Sequence, residues 1–137
     1  MTSPIAAMRT ARPTTDLPSI RRFYEEVVGL PVLGDFADHD GFDGAIFGVP
    51  DWRAQLELVA SPHGEAPAPT GEDALVLYAD DAGAAAALAA RLREAGAPEV
   101  TAASDPTLNP YWPNQGATCF TDPDGYRLVV VPPDGWR

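Results

Sequence analysis

Arg22-Phe23-Tyr24-Glu25-Glu26-Val27-Val28-Gly29-Leu30 is the stretch on which the fold turns. With Ile20 it places apolar side chains at 20, 23, 24 and 27, the spacing of a helix that buries one face. Thr15 and Asp16 stand ahead of it as N-caps, Gly29 stops it, and Pro31 follows as a second stop signal. Upstream, residues 5–12 read as a strand ended by Pro13. Downstream, three strand-like runs cover 32–36, 45–49 and 55–59. They are separated by the turn pairs Asp40-Gly41, Asp43-Gly44 and Pro50-Asp51. The order is β-α-β-β-β.

The same order then restarts. Residues 61–73 hold three prolines and two glycines and read as a linker. A strand at 75–79 follows, and Asp80 or Asp81 can cap a helix carrying Leu88 and Leu92 one turn apart. Gly96 and Pro98 end that helix as Gly29 and Pro31 end the first. Short strands are expected near 99–102, 117–120 and 126–131, the last two joined by Asp122-Pro123-Asp124-Gly125. Sliding the last strands together sets Leu56 on Leu128, Leu58 on Val130 and Glu57 on Val129. Side chains alternate across a strand, so the first two pairs face the helices and the third faces the other way. We read one domain over 1–137, with module one at about 5–60, the linker at about 61–73 and module two at about 74–133.

Composition narrows the function classes. The 137 residues are 45% hydrophobic, enough for a core without covalent staples. Cys119 is the single cysteine, which excludes an internal disulfide and suits a reducing, cytoplasmic setting. Neither a secretory leader nor a bilayer-length apolar run is visible, so no membrane partner is expected. The net charge is −11, and all nine basic residues are arginine. The absence of lysine excludes Schiff-base and P-loop lysine chemistry. The acidic balance argues against nucleic acid and favours the approach of cationic ligands.

The stretch 22–30, preceded by Arg12-Pro13-Thr14-Thr15-Asp16-Leu17 and matched late in the chain by Phe120-Thr121-Asp122-Pro123-Asp124-Gly125-Tyr126-Arg127-Leu128, resembles the vicinal oxygen chelate superfamily, the glyoxalase, bleomycin-resistance and extradiol dioxygenase group. The resemblance implies an α+β fold of two βαβββ modules, whose curled mixed sheets form a ligand cleft, usually in a homodimer. In the superfamily's metal enzymes each module gives one ligand from its first strand and one from its last. Carried over, those positions are Met8 or Arg9, Glu57, Ala74 and Val129. Only Glu57 offers a hard donor, and one carboxylate does not make a metal site. We therefore expect no metal at these positions and no cofactor.

Several side chains remain as candidates for ligand work. Glu57 is either a strand carboxylate paired with an arginine, Arg9 being the natural partner, or a cleft-facing group that holds a cation or takes a proton. His39, among Asp35, Asp38, Asp40 and Asp43, is either a base tuned near neutrality or a solvated loop histidine. The aspartates lack the spacing of a calcium loop. Asn109-Pro110-Tyr111-Trp112-Pro113-Asn114-Gln115 joins aromatics to amides, which suits stacking and cation–π contact with an organic ligand, or plugs an interface. Tyr78 shares a strand face with Ala74 and Val76. Cys119 reads as a packing residue.

The expectation is a small-molecule-binding protein resembling the bleomycin-resistance branch. Its ligand, cationic on charge grounds, would meet Arg9, Glu57, Tyr78, Tyr111, Trp112 and Asn114. The alternatives are a metal-independent lyase or isomerase using Glu57 or His39, and a glyoxalase- or dioxygenase-type metal enzyme with relocated ligands.

Overall fold

A computed structural model of the chain describes residues 2–51 and 53–134. Contacts divide it into two compact units, the first ending at Pro67 and the second starting at Ala68. The fold is α+β, each unit being one βαβββ module with a four-stranded mixed sheet.

In module one, β1 (Met8–Pro13) leads to α1 (Leu17–Arg22), and then to β2 (Val32–His39), β3 (Phe42–Gly48) and β4 (Ala54–Ala60). The sheet order is β1-β4-β3-β2, with β1 parallel to β4 and β3 antiparallel to both its neighbours. Asp16 caps α1, its Oδ1 accepting from the Ser19 N–H at 3.2 Å. The helix then widens into a π turn at Phe23–Val28, which closes on Gly29 at φ 84°. There the N–H groups of Gly29 and Leu30 both donate to the Tyr24 carbonyl. This widening moves the apolar stripe: Ile20, Phe23 and Tyr24 are buried as the spacing predicts, but Val28 replaces Val27 as the fourth buried residue. A π turn advances by an extra residue, so the side chain facing the sheet slips by one.

These helical residues meet Ala45, Phe47, Leu56 and Leu58, which are all buried. Each large apolar side chain fully buried there contributes about 1.5–3 kcal/mol. Arg21 ties the helix to the sheet through Glu25 at 3.1 Å and Asp35 at 3.0 Å. The second and third strands differ from expectation in their join. β2 runs on to His39, so Asp40-Gly41 makes the only turn, and Asp43-Gly44 lies inside β3. Gly44 belongs there because the Phe36 ring lies across it and leaves no room for a methyl group.

Module two repeats the pattern with β5 (Ala74–Tyr78), α2 (Ala82–Glu94), β6 (Glu99–Val100), β7 (Thr118–Thr121) and β8 (Arg127–Val131), in sheet order β5-β8-β7-β6. Asp81 caps α2, accepting from the Ala84 N–H at 2.7 Å. Leu92, Phe120, Leu128 and Val130 fill the helix side. Arg93 holds Glu99 with two bonds of 2.7 and 3.0 Å, and that pairing keeps the Glu99 carboxyl below its ordinary pKa. β6 is only two residues long, because Thr101 and Ser104 turn the chain away through mutual hydrogen bonds. The segment that follows contains α3 (Tyr111–Asn114), a single helical turn within the aromatic stretch. Thr70–Asp73, the end of the expected linker, docks on this sheet, with the Arg127 N–H donating to the Asp73 carbonyl at 3.1 Å.

Candidate functional site

Strand register decides which residues share the sheet face turned away from the helices. In module one Arg9 lies opposite Gln55 and Ala11 opposite Glu57, while Leu56 and Leu58 point to the helix side. Of the two first-strand positions, Arg9 therefore stands with Glu57, and Met8 points the other way. In module two Ala74 lies opposite Arg127 and Val76 opposite Val129. The registers equate Arg9 with Ala74, Gln55 with Arg127, and Glu57 with Val129.

Module one's inner face is an apolar floor around one polar group. Ile46 pairs with Glu57, and Val59 pairs with Gly44. Gly44 and Gly48 are the two places where neighbours come too close for a side chain, and Phe36 and Leu33 lie across them. Into this floor Arg9 projects, its Nε donating to Gln55 Oε1 at 2.8 Å and its Nη1 to Glu57 Oε1 at 3.1 Å. The Arg9 side chain is 46% exposed and that of Glu57 19%. Gln55 was not foreseen as a member. Its signal was in the sequence all the same, since it sits two residues before Glu57 and so on the same face.

Module two's inner face is covered by its own chain. Leu108, Cys119, Val129 and Val131 form a buried cluster, with Trp112, Ala74 and Val76 packed against it. Arg127 reaches Asp105 at 2.7 Å and so pins the covering segment to β8. Asp105 is held below the ordinary carboxylate range first by hydrogen bonds from Thr107, at 2.6 and 2.9 Å, and further by the charge of Arg127. Burial pushes the Cys119 thiol up, against a smaller opposing effect of Arg127. A cavity of about 40 Å³ remains beside the indole, lined by Glu72, Asn109, Trp112, Cys119, Arg127 and Val129 among others. That is room for two or three waters, far short of the few hundred Å³ an organic ligand fills.

The other candidates are dispersed. Tyr78 stands opposite Val131 and is half exposed. Tyr111 is also half exposed and meets Trp112 edge-on with ring centres 5.0 Å apart. Asn114 is exposed at the end of α3. His39 closes the β2–β3 hairpin between Asp38 and Asp40, both at positive φ, with its ring edge-on to Phe36 at 6.4 Å. It pairs with Phe42, four residues along β3 from the partner of Glu57, and so lies roughly 13 Å down the sheet. The two candidate bases do not converge. Among the described residues no group of three or more His, Cys, Asp or Glu is placed to hold a metal, and no helix is long and apolar enough to cross a membrane.

Two family models cover nearly all of the two modules: the YycE-like N-terminal domain matches residues 8–59 and the YycE-like C-terminal domain residues 72–132. The chain belongs to the YycE-like family. It is 41% identical over 127 residues to protein YycE of Bacillus subtilis (strain 168), covering 92% of this chain and 87% of that one. The crystal structure of a Bacillus subtilis YycE protein superimposes with a TM-score of 0.80 over 93% of this chain and 89% of that one. That protein is described as of unknown function, with a suggested glyoxalase or fosfomycin-resistance role. TnmS3, an antibiotic-binding protein from Streptomyces sp. CB03234, matches at 26% identity and a TM-score of 0.62, over 91% of this chain and 93% of its own. The trypanothione-dependent glyoxalase I of Leishmania major, at 18% identity and a TM-score of 0.69, covers 96% of this chain and 88% of its own and shares the fold. The YycE-like chain is thus a member of the vicinal oxygen chelate superfamily.

Proposed function

We propose that the protein binds a small organic molecule and does so without the metal of the superfamily's enzymes. One observation carries this reading: of the four positions from which those enzymes draw ligands, three here hold Arg9, Ala74 and Val129, and the fourth, Glu57, is engaged by Arg9. An arginine, an alanine and a valine offer no donor to a divalent ion. The name of TnmS3 as an antibiotic-binding protein agrees with a binding role. The lyase or isomerase alternative asks Glu57 or His39 to take a proton. Glu57 already accepts from Arg9 at 3.1 Å, and His39 stands apart at the hairpin.

A thermal-shift screen of small organic compounds, run with and without a chelator, tests the reading. Stabilisation by some compound regardless of chelator is the expected result. About one tightly bound Zn, Ni, Fe or Mn per chain by elemental analysis, after removal of any histidine tag, would overturn it. Turnover of the bound compound would move the protein to the enzyme alternative. We further propose a two-fold homodimer with an isologous interface in the cytoplasm, supported by the buried, free Cys119 and by the habit of the superfamily. A monomer mass by light scattering across micromolar concentrations would exclude the dimer.

A further inference from the structure

We infer that module one's inner face recognises a neutral group carrying a hydrogen-bond acceptor and a donor side by side, such as a primary carboxamide on a flat apolar body. This rests on the small-molecule reading above and names the ligand chemistry for one of its faces. The Arg9 guanidinium uses Nε on Gln55 and Nη1 on Glu57, and the Glu57 carboxylate uses Oε1 on Arg9. Among the described residues nothing pairs with Nη2 of Arg9 or with Oε2 of Glu57. The polar group therefore offers one charged donor and one charged acceptor, and its own net charge is zero.

A carboxamide answers both: its oxygen accepts from Nη2 and its NH₂ donates to Oε2, each a charge-assisted bond. A carboxylate would satisfy Arg9 but set its second oxygen against Glu57. An amidinium would satisfy Glu57 but set its second nitrogen against Arg9. Each charged ligand thus meets one like-charged partner, and repulsion discriminates as strongly as attraction. The rest of the face fits the body of such a ligand. Ile46, Val59, Leu33 and Phe36 are half-buried, and the glycines at 44 and 48 let Phe36 and Leu33 lie flat across the sheet. The acidity of the whole chain pulls towards cations, but that long-range field is screened within about 8 Å at physiological salt, whereas the ligand lies in contact with the pair.

Benzamide, benzamidinium and benzoate share size and shape and differ in charge, so they separate the possibilities. Titration of the full chain, followed by backbone amide NMR shifts, is expected to give benzamide about threefold to tenfold tighter binding than either ion. The shifts should centre on β1 and β4. Glu57→Gln should move the preference to benzoate and Arg9→Met should move it to benzamidinium. If Arg9→Met does not fold, the Glu57→Gln reversal decides alone. Tightest binding of either ion to the unaltered protein would overturn the inference, as would benzamide shifts centred on module two. If none of the three binds while the broader screen finds a ligand, the inference falls and the small-molecule reading stands. If the screen also finds nothing, both fall.

Discussion

The two modules share a strand order and a register, yet their inner faces have opposite fates. Module one leaves its face open, with a half-exposed Arg9 paired to a more buried Glu57 over an apolar floor. Module two closes its face with Leu108 and Trp112 over Val129, Val131 and Cys119. The difference follows from three substitutions at matching positions. Where module one has Arg9, Gln55 and Glu57, module two has Ala74, Arg127 and Val129. Removing the central pair of charges makes the face apolar enough for the chain to fold over it. Arg127, displaced to the margin, then finds Asp105 on the covering segment. Two modules of one strand order can in this way leave one face open and use the other for stability.

Exchanging the side chains at the matching positions tests that contrast most severely. Val129→Glu places a carboxylate under the indole, where Arg127 is already engaged by Asp105, and is expected to cost about 4 kcal/mol or more in urea unfolding. Tolerance of this change would mean that the cover over module two is loose. Trp112→Ala comes next. It removes a half-buried indole from a face that it covers together with Leu108, and a loss of about 2–3 kcal/mol is expected, below the range for fully buried tryptophans. A loss under 1 kcal/mol would show that Leu108 alone seals the face.

Acid should act on the same segment. Asp105 and Glu99 both have folded-state pKa values held below their ordinary ones. Their stabilisation is complete above the usual carboxylate pKa, near about 4, and is lost as pH falls through the depressed folded values. Asp105→Asn should flatten that part of the stability profile, measured by urea unfolding between about pH 2 and 5. An unchanged slope would mean that Arg127 and Thr107 hold Asp105 equally well in the unfolded chain. The smallest effect is expected from Glu57→Val in module one, under about 1 kcal/mol, because the pair it breaks is solvent-accessible. A larger loss would show that the pair supports the sheet as well as decorating it.

Much of this was legible in the sequence. Ile20, Phe23 and Tyr24 announced the first helix, Asp16 its start and Gly29 its end, because these signals are local and chemical. The alternation around Glu57 placed Leu56 and Leu58 towards the helix, and it set Glu57 and Val129 at matching positions. What escaped depends on contacts distant in the chain or on small geometric changes. The π turn that exchanged Val27 for Val28 adds a residue without changing composition. Gly44 looked like a turn residue, yet it is required by Phe36, which crosses from the neighbouring strand. The folded cover at 101–116 could not be read from spacing, since Leu108 and Trp112 are anchored by residues on β7 and β8. The candidate site was read in part: Arg9 and Glu57 do meet, while His39 stands apart from them and Trp112 lies in the core of its own module.

Cys119 gives the cover a clock. The residue is 2% exposed and burial pushes its thiol pKa up, so an alkylating reagent reaches it only while the residues above it have lifted. The labelling rate, divided by that of an unhindered thiol at the same pH, gives the fraction of time the segment spends open. With no second cysteine in the chain, mass spectrometry would read that fraction from a single modified site.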